Sequence, residues 1–267
     1  MLTIRIGFIC PTYQALALRD YTTSALVSFF DTTPDGVAIV VDDGTPGWSV
    51  EYEDELKLLA NECGGELHVR HFAKKLGLTR SWNKGLKLAD KFGLDYAIAG
   101  NNDIIFTPGW HQGMLHALSS GYTMVGPLSN APGITAGGKQ EVAKYIEGYT
   151  VSDNPVYLNH VAAELLQKNL GKVIDSSVNG FFQMCSMEGW RSNMYSSREY
   201  YRAVNKYNSK GRKNPTPHMT LNEDEWQGRA KAKEMKLAIV LSSFIFHYRA
   251  VTRGDKYKRG QWHRREK

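Results

Sequence analysis

The sequence predicts an α/β fold with a mostly parallel central sheet flanked by helices. Three observations carry this. From Ile4 to Ala99, apolar β-branched runs alternate with helically spaced segments, the order that builds βαβ units. The runs are continuously apolar rather than alternating, as strands covered on both faces are. Each run also leads into polar or acidic residues, at the strand ends where open parallel sheets bind ligands.

Taken in order, Ile4 to Cys10 is an apolar run stopped by Pro11, and Leu16 to Phe30 has helical spacing. Val37 to Val41 is a strand running into Asp42-Asp43-Gly44-Thr45. Tyr52 to Cys63 reads as a helix that Gly64-Gly65 ends, and Glu66 to His71 as a short strand. Arg80 to Phe92 is a helix closed by Gly93, and Tyr96 to Ala99 a strand leading into Asn101-Asn102-Asp103. Right-handed crossovers then bring Thr12, Asp42, Asp43 and Asp103 to one edge of the sheet.

The second half is less regular. Gly109 to Ser119 predicts a helix, Met124-Val125 a strand, and Leu128 to Gly138 a loop rich in Gly, Pro and Ala. Val156 to Leu170 predicts a helix, Asn179 to Cys185 a strand, and Met194 to Pro217 a mobile loop. Trp226 to Lys236 predicts a helix and Leu237 to Phe246 a last strand. No repeat and no linker divides the chain, so residues 1–267 read as one domain: 1–127, 128–248 and a basic tail, 249–267.

The net charge of +6 is uneven. Arg191 to Lys213 holds seven Lys/Arg against one acid, and Arg249 to Lys267 eight against two, leaving the remainder at −6. Such segments point to a polyanionic partner or are solvated surface. Three cysteines without a CxxC pair argue against a disulfide framework or zinc ribbon. With no signal peptide and no apolar run long enough to span a bilayer, the expectation is a soluble cytoplasmic protein in a reducing compartment.

A GxxxxGK[ST] loop is absent, and no GxGxxG follows the first strand, which argues against a P-loop enzyme and an ordinary dinucleotide dehydrogenase. Acids at strand ends remain. Asp103 can hold Mg²⁺ or Mn²⁺ through oxygen, or Asn101-Asn102-Asp103 is a plain turn. Asn222-Glu223-Asp224-Glu225-Trp226 opens a helix; its acids either favour the helix dipole or supply a general base. His247 is either structural or a ligand to a metal or phosphate.

In chain order these segments resemble the family-2 glycosyltransferases, which have the Rossmann-like GT-A fold. Cys10-Pro11-Thr12-Tyr13 is similar to the family's opening strand end, and Val41-Asp42-Asp43-Gly44-Thr45 to its "V-D-D-G-S". Leu78 to Gly85 resembles its "N-x-G" helix start, and Asn101-Asn102-Asp103 its metal motif. Val125-Gly126-Pro127, Asn179-Gly180-Phe181-Phe182, Glu223-Asp224 and His247-Tyr248 follow in family order.

The resemblance implies an inverting, metal-dependent transfer from a nucleoside-diphosphate sugar to an acceptor hydroxyl. It places Pro11, Thr12, Tyr13, Asp42, Asp43, Arg80, Asn83, Asn101 and Asn102 on the nucleotide sugar, with Asp42 on the base. Asp103 would hold a divalent metal, Mn²⁺ or Mg²⁺, with His247 in support. Asp224 would be the catalytic base, with Glu223 as the alternative because the late motif fits in two registers. Asn179, Gly180, Arg198, Arg202 and Trp226 would face the acceptor. The metal motif departs from the family in holding one acid only. Gly133 to Gly138 and the basic Tyr-rich stretch are candidate lids over the site.

Tyr195, Tyr200, Tyr201 and Tyr207 interleave with Arg and Lys, and Trp262 lies in the basic tail. Arg contacts phosphate and Tyr stacks on bases, so a hydroxylated base in DNA, flipped from the duplex, is one acceptor. A glycan, or a lipid-linked acceptor at an anionic membrane surface, is another. A non-catalytic polyanion-binding module is the alternative from a different class. Sugar-1-phosphate nucleotidyltransferases share the fold but open on a Gly-rich basic signature, which this chain lacks.

Overall fold

The computed structural model of the protein describes residues 4–13, 18–133, 136–196 and 222–248. Its sheet has the order β3-β2-β1-β4-β8-β6-β9-β5, with β7 also on β9. These strands are β1 (Ile6–Thr12), β2 (Val37–Asp42), β3 (Glu66–His71), β4 (Tyr96–Gly100), β5 (Ile104–Phe106), β6 (Met124–Leu128), β7 (Val173–Asp175), β8 (Phe182–Ser186) and β9 (Leu237–His247). β1, β2, β3, β4, β6 and β9 run one way; β5, β7 and β8 run against their neighbours. The sheet is therefore mostly parallel, with β8 inserted in reverse between β4 and β6.

β1 and β2 are buried along their whole length, which is why their sequences are apolar without alternation. Helix α1 (Arg19–Thr32) covers one face with Leu26 and Phe29, which meets Phe8 and Phe106 ring to ring. Helix α3 (Leu78–Lys91) covers the other with Trp82, Leu86 and Ala89. A side chain at Gly85 would put its Cβ 2.1 Å from Ile9 Cγ2, so α3 reaches β1 only because residue 85 is glycine. Between these come α2 (Val50–Glu62), α4 (Trp110–Ser119), α5 (Pro155–Asn169), α6 (Met187–Ser192) and α7 (Asn222–Ala232).

The second half departs from the sequence reading in places. The expected strand at Asn179 begins only at Phe182, and the last helix starts four residues early, at Asn222, and ends at Ala232. β5, β7 and α6 were not anticipated. No helix among the described residues is long and apolar enough to cross a membrane.

Trp226, expected on the acceptor surface, is instead fully buried. Its ring packs against Trp190 and Tyr195, and its indole N–H donates to the Asn193 carbonyl. Beside it, Gln227 pairs with both backbone groups of Val178, accepting at 2.8 Å and donating at 2.7 Å. An apolar ring with a satisfied N–H belongs in the core, and here it fixes the start of α7. Trp226→Ala is expected to cost about 3–5 kcal/mol of stability, read from urea unfolding; a cost below about 1 kcal/mol would contradict this packing role. Arg198, Arg202, Tyr200, Tyr201, Tyr207 and Trp262 lie outside the described residues.

Candidate active site

The site is built where strands β1, β2 and β4 end. At β2, the Asp42 carboxylate is fully buried. It accepts from Gly44 N (3.1 Å), Thr45 N (2.8 Å), the Thr45 hydroxyl and His71 Nδ1 (2.7 Å). Asp43 turns the other way and accepts from Leu76 N (2.7 Å) and Gly77 N (2.9 Å), tying down the loop that leads into α3. Gly44 has φ +78°, and a Cβ there would lie 2.3 Å from the Lys74 carbonyl carbon. Only glycine allows the turn and the loop to touch. The same loop carries Lys75 Nζ to 3.8 Å above the Tyr13 ring.

Pro11 and Thr12 are buried at the end of β1. Thr12 Oγ1 and Asn83 Oδ1 are buried with no hydrogen-bond partner among the described residues. Asn83 donates its amide to the Tyr195 carbonyl at 2.7 Å. Buried polar atoms are seldom left without a partner, so these two acceptors are available to a polar ligand. Arg80 stands exposed on the first turn of α3.

After β4 the chain turns through Asn101, Asn102 and Asp103. Asn101 N donates to the Phe181 carbonyl at 2.9 Å, tying the turn to the segment before β8. Asn102 faces inward and donates to Thr22 Oγ1 at 3.0 Å, so its side chain braces the turn against α1. Asp103 and His247 are both 4% exposed and face each other, Oδ1 to Nε2, at 3.3 Å. His247 Nδ1 lies 2.9 Å from the Ala131 carbonyl. A carbonyl can only accept, so Nδ1 carries the hydrogen and the neutral ring's lone pair is on Nε2. Asn101 Nδ2 donates to that lone pair at 3.2 Å. The Asn130 side chain bonds both backbone groups of His247, and Phe181 stacks on the ring with centroids 4.8 Å apart. Asp103 Oδ1 and His247 Nε2 are thus held face to face by Asn101, Asn130, Ala131 and Phe181.

A carboxylate oxygen and an imidazole nitrogen that now accepts only from Asn101 Nδ2 are donors that suit a divalent cation once that amide turns aside, Mn²⁺ in particular. Among the described residues no third His, Cys, Asp or Glu joins them, so further ligands would come from substrate oxygens and water. Burial, and then the Asp103 carboxylate, push the Cys10 thiol far above its usual range. Cys10 is a neutral neighbour, not a thiolate ligand.

The late acids are sorted by helix phase. A Cβ at Gly180 would lie 2.7 Å from Glu223 Cδ and 2.9 Å from each carboxylate oxygen. Glu223 therefore rests on the backbone immediately before Phe181, the residue that stacks on His247. Asp224 is exposed. Glu225 is paired with Arg229, which also donates to the Met194 carbonyl at 2.9 Å. Tyr195 is held well above its usual range by burial first, then by Cys185 and by the Glu223 charge. Asn179 donates from backbone and side chain to Gln140 Oε1 at 2.7 and 2.8 Å, and so positions Gly180. Gly180→Ala is expected to displace Glu223 and cut turnover at least tenfold, about 1.4 kcal/mol of transition-state energy, with the melting temperature nearly unchanged. Unaltered turnover would show that Glu223 has no fixed place there.

Asn130, Gln140, Gln227 and His71 were missed in the sequence, and Phe181 was read only as part of its motif, not as the ring against His247. Asn130 acts on His247 across 117 positions and Gln140 on Asn179 across 39, separations at which a single sequence carries no pairing signal. Gln227 had a faint one, lying one helical turn beyond Glu223.

The sheet order and this edge define a GT-A glycosyltransferase fold. No protein-family model matches the chain, and no curated protein sequence does. Among solved structures, GalNAc-T7 with UDP, GalNAc and Mn²⁺ superposes with a TM-score of 0.57 at 12% identity, over 92% of this chain and 44% of that one. S. aureus TarS 1–349 in complex with UDP gives 0.51 at 12% identity, over 91% and 60%. The same protein with UDP-GlcNAc gives 0.51 at 11%, over 91% and 58%. The chain thus spans between 44 and 60% of these solved chains. At such identity the likeness is one of fold.

Proposed function

We propose that the protein is an inverting glycosyltransferase that moves a sugar from a nucleoside-diphosphate donor to an acceptor hydroxyl. The observation that carries this reading is the Asp103–His247 pair together with Glu223 on Gly180, the residue before the Phe181 that stacks on His247. A nucleotide binder needs the first; only a group-transfer enzyme has use for the second. The solved relatives by fold hold UDP, UDP-GlcNAc or Mn²⁺, which supports the same donor class here.

In this reading Asp103 and His247 Nε2 hold a divalent cation, Mn²⁺ or Mg²⁺. Once bound, it neutralises charge on the departing diphosphate. Thr12 Oγ1 and Asn83 Oδ1 hydrogen-bond the donor, Tyr13 stacks on it once Lys75 moves aside, and Arg80 pairs with its phosphates. Pro11 shapes the floor. Asn101 orients His247 rather than the donor, and Asn102 and Asp43 hold the turns in place. Glu223 takes the proton from the acceptor hydroxyl. The acceptor oxygen attacks the anomeric carbon from the face opposite the diphosphate, the carbon–oxygen bond to the diphosphate breaks, and the configuration inverts. Most of the rate comes from positioning and fixed charge.

For the acceptor, the two basic segments favour a polyanion, and DNA carrying a hydroxylated base is the class to test first; glycan and lipid-linked hydroxyls are the comparison arms. The test is calorimetric binding of nucleoside diphosphates and nucleotide sugars, with and without Mn²⁺, followed by transfer assays on the three acceptor classes. Metal-dependent binding of one nucleotide is the expected result. No binding of any nucleotide under either condition would overturn the reading and leave a polyanion-binding protein.

A further inference from the structure

The base of the donor needs a reader at the end of β2, and the residue expected there is already committed. A carboxylate has about four lone-pair positions. Asp42 accepts from Gly44 N, Thr45 N and His71 Nδ1 on Oδ2 and from the Thr45 hydroxyl on Oδ1, and none of it reaches the surface. A nucleobase donor could reach it only by pushing the Thr45 turn or His71 aside, because the carboxylate is fully buried. His71 is in the opposite condition. It closes β3 in register with Asp42, at the same sheet edge. One face of its ring lies on Trp48, with centroids 5.6 Å apart and planes 18° apart. Its side chain remains 35% exposed. Because Nδ1 faces a carboxylate, it carries the hydrogen, and the neutral ring offers Nε2 as an acceptor. Nε2 has no hydrogen-bond partner among the described residues. The loop that follows His71 arches back over the edge, placing Lys75 over Tyr13 and the Leu76 and Gly77 amides on Asp43.

We propose that His71 Nε2, with its tautomer fixed by Asp42, reads the nucleobase of the donor and selects bases that present an imino N–H, uracil or thymine, over cytosine. Asp42 is a positioning residue that acts through His71. A rigid acceptor fits the imino N–H of a uracil ring; cytosine turns a lone pair to the same place, and two facing acceptors repel. Trp48 prevents the ring from swinging away to accommodate the wrong base. This inference rests on the glycosyltransferase reading of the same edge.

Three variants separate it from a base contact made by Asp42. His71→Asn puts an amide N–H where Nδ1 stood, so Asp42 keeps its donor, but nothing occupies the place of Nε2. His71→Gln restores an acceptor there. In Asp42→Asn, the oxygen can take the position that accepts from Gly44, Thr45 and His71, while the amide faces the Thr45 hydroxyl. The measurement is the ratio of dissociation constants for CDP and UDP in Mn²⁺, with inorganic pyrophosphate as the base-free control and melting curves for folding. Wild type is expected to prefer UDP by about tenfold or more, the worth of one well-made hydrogen bond against a repelled one. His71→Asn is expected to bring the ratio near one without weakening pyrophosphate. His71→Gln and Asp42→Asn are expected to keep the preference. A folded His71→Asn that still discriminates, or an Asp42→Asn that loses discrimination while His71 variants keep it, would overturn the proposal and leave donor binding itself intact. Wild type that binds no nucleoside diphosphate would remove the donor site and this inference together.

Discussion

Replacing Glu223 by glutamine is expected to slow turnover by about 10²–10⁴-fold, the usual contribution of a positioned general base, with donor affinity and melting temperature close to wild type. Glutamine has the same shape and keeps its place on Gly180, so packing is preserved while the proton acceptor is gone. Asp224→Asn makes the comparison. Asp224 is exposed and is not among the atoms nearest Gly180, being turned about 100° from Glu223 around the helix. Its variant is expected to keep the rate within about threefold, as surface substitutions away from a site do. A kinetic split completes the test: Glu223→Gln lowers kcat and leaves KM for the donor near its original value, the pattern of a group used only in the transition state. Should Asp224→Asn carry the loss and Glu223→Gln leave kcat untouched, the helix phase would have been assigned to the wrong acid.

That choice shows where the sequence stopped being readable. Glu223 and Asp224 fit the resemblance in two registers, and nothing local separates them. The separation comes from Gly180, 43 residues earlier, whose missing side chain leaves the room that Glu223 fills. The first half was legible nearly to its element ends because buried parallel strands need unbroken apolar runs, and Gly and Pro punctuate them. β5 and β7, each three residues long, are too short to show a period. Trp226 was misread because a large aromatic beside acids resembles a binding surface, whereas its N–H partner at Asn193 lies 33 residues away. Asp42 was found, but not its partner: its bond to His71 spans 29 positions, and only the folded sheet brings the two strand ends together.

The second large effect falls on Asp103, and its sign on stability differs from its sign on function. In wild type Asp103 Oδ1 and His247 Nε2 face each other at 3.3 Å, and with Nδ1–H on the Ala131 carbonyl both are acceptors while the ring is neutral. Opposed acceptors in a buried site are unfavourable unless a proton or a cation lies between them. Asp103→Asn removes the conflict, since its amide N–H can donate to Nε2 in place of Asn101 Nδ2 and complete a neutral pair. Without added metal, the variant is therefore expected to melt no lower than wild type. Adding Mn²⁺ is expected to raise the melting point of wild type, because a ligand bound only by the folded state stabilises it, and to leave that of the variant unmoved. Nucleoside diphosphate affinity in Mn²⁺ should fall about 10–100-fold in the variant, the range seen when support for a metal site is lost, down to the value wild type shows without metal. A variant that melts well below wild type would mean that Asp103 is held by structural bonds rather than kept for a cation. One that still responds to Mn²⁺ would place the cation elsewhere, and the pairing of Asp103 with His247 would have to be read as an ordinary buried ion pair.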